Sequence, residues 1–120
     1  MSNLKEWLRS RRAKFYEGDD LKKHCDDFLS MVDNGAVVHE FKDAIIVLEN
    51  FGLAGNVRAW LLFDKFKRGT ARAIQTVSDE FKGAAIYAST HDQRIKKLLE
   101  KIGFRQYQQD EHDFYLVFRK

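Results

Sequence analysis

The chain has no proline, a single cysteine and only seven glycines among its 120 residues. Without proline, its turns must rest on Gly, Asn and Asp. With Cys25 alone, no internal disulfide can form, and no Cys/His set shows the spacing of a zinc site. No apolar run approaches the ~20 residues that a helix needs to cross a bilayer, and the N-terminus lacks the apolar core of a signal peptide. An intracellular, reducing compartment such as the cytoplasm, with no membrane partner, is therefore the expectation. Low-complexity tracts are missing too, so the 120 residues read as one domain, long enough to bury a core. Charge of one sign is only slightly in excess, at +3 with a pI near 9.0. That balance permits an anionic cofactor, substrate or nucleic acid and demands none of them.

What is present is 44% hydrophobic and 32% charged, as in an ordinary soluble domain. Residues 3–16 place Leu4, Trp7, Leu8 and Phe15 at helical spacing, with Asn3 and Glu6 as a capping box. Arg9, Arg11, Arg12 and Lys14 read as the solvated face of that helix more readily than as a nucleic-acid contact. Residues 19–32 form a second amphipathic helix through Leu21, Phe28, Leu29 and Val32, with Cys25 as a small core residue. His24 and Cys25 are neighbours on it, point about a quarter-turn apart, and do not make a catalytic pair. Both helices are expected to pack on the sheet through Trp7, Leu8, Phe28 and Leu29.

Three strand-like runs follow, over 36–41, 44–51 and 56–63, separated by Lys42-Asp43 and by Gly52 to Gly55, so a meander is expected. A helix is expected over 71–81, closed by Lys82-Gly83, and then a strand over 84–89 parallel to the strand at 56–63. The last helix, over 91–102, turns Ile95, Leu98, Leu99 and Ile102 inward and ends on Gly103. Runs 104–109 and 113–119 form a final hairpin through Asp110-Glu111-His112. The fold class is thus α/β (α+β), with helices flanking a mixed, mostly antiparallel sheet. The two N-terminal helices occupy 1–34 and the sheet with its helices 35–120.

One stretch organises the rest: Leu61-Leu62-Phe63-Asp64-Lys65-Phe66-Lys67-Arg68-Gly69-Thr70-Ala71-Arg72-Ala73. A strand feeding a helix through small residues presents unpaired N–H groups at a helix start, which favours anions. Arg68 and Arg72 sit there although cations oppose the dipole at that end. Arg68-Gly69-Thr70-Ala71-Arg72-Ala73 resembles the R-x-x-G-x-G/A pyrophosphate loop of the GNAT (GCN5-related N-acetyltransferase) superfamily. Ala84 to Thr90 looks like that family's next strand. Asp92 to Phe104, ending Lys101-Ile102-Gly103-Phe104, looks like its following helix. The resemblance covers roughly residue 36 to the C-terminus. The run from Trp60-Leu61-Leu62-Phe63 to the final hairpin is also similar to small GNAT-like internal virion proteins of podophages.

The resemblance implies that the two central parallel strands splay apart and that the pantetheine arm of acetyl-CoA lies between them. Leu62, Phe63 and Asp64 would then offer main-chain groups to that arm. Arg68, Gly69, Thr70, Ala71, Arg72 and Ala73 would hold the pyrophosphate. Asp92 would meet the arm where the family often has Asn, and Arg94 would meet a CoA phosphate. Two positions depart from the pattern: Ala71 replaces the first loop glycine, and Leu99 stands where a proton-donating tyrosine is common. Acyl transfer to an amine needs a base for the amine and a proton for the thiolate. Glu49 leads as base, followed by Glu40, His39 and Asp64; Tyr87 and Tyr115 are the substitute acids. Two functions follow, an acyl-CoA-dependent N-acyltransferase acting on an amine, or a non-catalytic GNAT-like binding or structural protein with a protein partner, in a host cytoplasm or a virion.

Overall fold

The computed structural model describes residues 29–63 and 66–119, with only the backbone of Leu62. The expected N-terminal helices, with Trp7, Leu8, Cys25 and Phe28, lie outside the described residues, except that residues 29–33 are helical. Asn34 ends that helical run by donating its N–H to the Ser30 carbonyl at 3.0 Å.

The described residues form six strands: β1 (Val37–Glu40), β2 (Ile45–Asn50), β3 (Asn56–Leu62), β4 (Ala85–Thr90), β5 (Arg105–Gln109) and β6 (Phe114–Phe118). Two helices interrupt them, α1 (Arg68–Glu80) between β3 and β4, and α2 (Gln93–Ile102) between β4 and β5. The strands join in one sheet, ordered β1-β2-β3-β4-β6-β5. Every adjacent pair is antiparallel except β3 and β4, which are parallel. This is the expected mixed, mostly antiparallel sheet with one central parallel pair.

Ile45, Ile46, Val47 and Leu48 are consecutive and all buried, so β2 is covered on both faces. Elsewhere the two-residue period divides the faces. Ala44, Ile46, Leu48, Ile86, Leu116 and Phe118 point one way and meet Ala73, Ile74 and Val77 of α1 and Leu99 of α2. Each fully buried Leu or Ile there contributes about 1.5–3 kcal/mol. On α1 the buried positions Thr70, Ala73, Ile74, Val77 and Ser78 follow the helical period, which makes it a one-sided helix.

Three helix boundaries differ from the sequence reading. α1 begins at Arg68 rather than Ala71, because Lys67 is extended and donates its N–H to Thr70 Oγ1 at 3.1 Å, closing the first turn three residues early. It ends at Glu80 through an extended Phe81 (φ −64°, ψ 131°), so Lys82-Gly83 does not form a left-handed cap. At Gly83 a side chain would strike the Phe81 ring and the Gly55 carbonyl, which is why glycine stands there. α2 begins at Gln93 rather than His91, because Asp92 caps it. Its other end is as expected: Gly103, at φ 124°, donates its N–H to the carbonyls of Leu99 and Glu100.

The parallel pair is short. Asn56 faces Ala85, Val57 faces Ile86 and Arg58 faces Tyr87, and there the pairing stops. β3 continues to Leu62 and β4 to Thr90 without it. The strands diverge toward their C-terminal ends, and a cleft opens between them.

Candidate active site

The cleft has a volume of about 570 Å³. That is the size of a small-molecule or cofactor site. It passes between the diverging strands and so has two sides. Ala59, Leu61, Ala88, Ile74, Ile95 and Leu99 form the side toward the helices. Phe51, Arg58, Trp60, Tyr87, Tyr107 and Tyr115 line the other. Strand register assigns the second set, since Arg58 and Trp60 alternate with Ala59 and Leu61.

The turn expected to bind an anion does not line this cleft. Arg68 and Arg72 are exposed, Gly69 and Ala71 half-buried, and Thr70 and Ala73 buried against the sheet. Ala71 sits in regular right-handed helix and donates its N–H to the Lys67 carbonyl at 3.2 Å. Its methyl therefore costs no backbone strain. The earlier start moves the opening N–H groups to Arg68 and Gly69. A second correction concerns charge. The Asp43 side chain lies against Gly69, where any Cβ would overlap its carboxylate. Asp43 also comes within 3.9 Å of Lys67 Nζ, and its carbonyl accepts from Thr70 Oγ1 at 3.2 Å. The β1–β2 turn thus brings a carboxylate to the helix start, which sequence spacing did not suggest.

Of the other expected contacts, Phe63 and Asp92 line the cleft. Asp64 lies outside the described residues, as does the Leu62 side chain. Asp92 is committed to capping: Oδ1 accepts from the N–H groups of Arg94 at 2.7 Å and Ile95 at 3.4 Å. Partial burial pushes its pKa up, but those hydrogen bonds and the Arg94 charge outweigh it and hold the carboxyl below its ordinary value. The Arg94 side chain is exposed and reaches Asp92 Oδ2 at 3.4 Å.

Among the candidate bases, Glu49 does not line the cleft, and its Oε1 accepts from Trp60 Nε1 at 2.9 Å. His39 lines a separate shallow hollow with Val37 and Phe81, and Glu40 is exposed on the edge strand. Asp113, missed in the sequence, does line the cleft. Both substitute acids line it as well, on the side away from buried Leu99. The Tyr87 hydroxyl accepts from Arg119 Nη2 at 3.2 Å, which leaves its own proton to give. Tyr115 instead donates to Asp110 Oδ2 at 2.6 Å. That hydrogen bond, with the Asp113 and His112 N–H groups, holds Asp110 at about 2, and it raises Tyr115 above its usual value. Tyr115 is therefore protonated at neutral pH, with its proton engaged.

The sign of this linkage is testable. A carboxyl lowered on folding adds stability above its ordinary value of 3.8 and loses it as pH falls toward about 2. Tyr115→Phe should bring the Asp110 titration up toward 3.8, though not all the way, because two N–H donors remain. Carbon-detected NMR of the side-chain carboxyl reads this directly, and an unchanged midpoint would refute the assignment. Among the described residues, no group of three His, Cys, Asp or Glu side chains could hold a metal ion.

No protein-family model and no curated protein matches the sequence. Solved structures do match the fold. The chain is similar to an aminoglycoside 6'-acetyltransferase type Ii, with 16% identity, a TM-score of 0.66, and coverage of 98% of this chain and 87% of that one. It is similar to the PaiA N-acetyltransferase from Thermoplasma acidophilum, solved in complex with coenzyme A, at 12% identity, TM-score 0.67, and coverage of 98% and 93%. A GNAT-family acetyltransferase from Bacillus anthracis matches at 14% identity, TM-score 0.63, and coverage of 96% and 86%. At these identities the likeness is one of backbone architecture, and with the parallel pair that parts around a cleft it establishes that this chain has the GNAT fold.

Proposed function

We propose that the protein is an acyl-CoA-dependent N-acyltransferase that takes acetyl-CoA between β3 and β4 and acts on an amine. The observation that carries this is the early end of the parallel pairing at Arg58 and Tyr87. It leaves the facing main-chain edges of residues 59–63 and 88–90 to an extended, amide-bearing ligand, as when a peptide adds a strand to a sheet edge. The opening N–H groups of α1, with Arg68 and Arg72, suit the diphosphate at the arm's far end. The Thermoplasma neighbour, solved with coenzyme A, supports the same choice of ligand.

Acetyl-CoA would supply the activated acyl group. The chain's part is to bind, orient and move protons. The amine must be neutral before it forms the new C–N bond, and Asp113, directly or through water, is the cleft carboxylate placed to take its proton. The leaving thiolate needs a proton, and Tyr87 has one to give. Glu49, fixed by Trp60, would act only through water.

Thermal shift and calorimetry with acetyl-CoA test this. A ligand at a hundred times its Kd should add about 2.7 kcal/mol to stability. Arg68→Glu should weaken binding more than tenfold by setting a negative charge against the diphosphate. A second reading, a non-catalytic GNAT-fold protein that serves binding or virion structure, draws on two observations. Leu99 is buried and has no proton to give, and the Asp43 carboxylate lies against the first turn of α1. Absence of binding at millimolar acetyl-CoA would transfer the function to this second reading.

A further inference from the structure

We infer that the acceptor is an amine that also carries a carboxylate, an amino acid with a large apolar side chain, and that Arg58 holds the carboxylate. This deepens the acyltransferase proposal and rests on it. Arg58 stands at the point where β3 and β4 part, on the side of the cleft away from α1 and α2. Its guanidinium carbon lies 4.2 Å from the Phe51 ring centroid and 5.8 Å from that of Trp60. Tyr87 packs on Phe51 at 4.9 Å and on Tyr107 at 6.0 Å, extending the aromatic wall beside the guanidinium. Stacking on Phe51 restricts the plane of the group, and the residue itself lines the cleft.

Among the described residues no acceptor takes those donors, although carboxylates lie close by. Glu49 faces Arg58 directly across the strands, yet it accepts from the Trp60 indole. Asp92 caps α2, and Asp110 is filled by Tyr115 and two backbone N–H groups. A half-buried arginine whose five donors meet no hydrogen-bonded acid among the described residues is a strong site for a bidentate carboxylate. A diamine or polyamine would meet repulsion there. The aromatic wall adds apolar area for the rest of the acceptor, and the flat rings cost little ordering entropy to present. The alternative, in which Arg58 only rests its stem on Phe51 with its head in water, makes no distinction between acceptors.

The experiment compares L-phenylalanine and L-leucine with their carboxamides and with spermidine, by release of free CoA thiol from acetyl-CoA. The amino acids should be used at least tenfold better than the amides, in kcat/KM, with spermidine the poorest. Arg58→Met should raise the amino-acid KM at least tenfold, abolish the preference over the amides, and leave acetyl-CoA affinity unaltered. Arg58→Lys, which keeps the charge without the fork, should fall between. Equal or better use of amides or spermidine, or no effect of Arg58→Met, would overturn the inference. If acetyl-CoA does not bind at all, calorimetry with the two amino acids alone separates the claims. Binding that disappears in Arg58→Met keeps the carboxylate site, and no binding by either amino acid removes it.

Discussion

Replacing Leu116 with alanine should destabilise the fold by about 2–5 kcal/mol, the range for a buried leucine truncated in a packed core. Leu116 is fully buried at the centre of β6. That strand is paired on both sides, to β4 through Ala88 and to β5 through Gln106. With two partners holding the backbone, the surroundings have little freedom to collapse into the space left behind. The loss is therefore expected in the upper part of the range. Total stability of a domain this size is about 5–15 kcal/mol, so the variant should unfold at much lower urea with an unchanged m-value. A shift below about 1 kcal/mol would mean that β6 is not a core strand. The altered m-value of a partly unfolded native state would mean that the two sides of the sheet unfold separately.

Thr70→Val should cost about 1–3 kcal/mol, although it conserves volume and adds apolar surface. Thr70 is fully buried, and its hydroxyl makes two bonds at once. It accepts the Lys67 N–H at 3.1 Å and donates to the Asp43 carbonyl at 3.2 Å. Valine removes both and leaves a donor and an acceptor in part-buried positions, where an unmet polar group is expensive. The first bond starts α1, and the second ties the β1–β2 turn to it. The variant should therefore fray the helix start as well as lower the midpoint, which hydrogen exchange at residues 70–73 would register. Exchange there no faster than in the parent would show that the hydroxyl is not what sets the start of α1.

Much of the architecture was legible because its determinants are local. Apolar runs marked β3 and β6, helical spacing marked α2, and Gly103 marked the end of α2, where the backbone needs a positive φ. The parallel relation of β3 and β4 was legible as well, from a strand, a helix and a strand in succession. The start of α1 was misread by three residues: the Lys67 N–H is taken by Thr70 Oγ1, and that hydroxyl is itself held on the Asp43 carbonyl 27 residues away. No local rule signals such a bond. Of the candidate site, Phe63, Tyr87, Asp92 and Tyr115 do line the cleft, whereas Glu49 stands off it, bound to an indole on the next strand. Arg58 read as one more charged residue in a strand, since nothing in its neighbours shows that the strand pairing ends beside it.

The sequence by itself determined the kinds of element, their order and the face each turns to the core, because periods of 2 and 3.6 residues are properties of a single segment. It also determined the cationic, glycine-bearing start of α1. Only the tertiary structure decided what that start meets, and it is the Asp43 carboxylate brought by a distant turn. The tertiary structure also decided where β3 and β4 part, which side chains share the cleft, and which charges remain without a partner. These depend on strand twist and packing across the sheet, where residues far apart in the chain compete for the same donors and the same space.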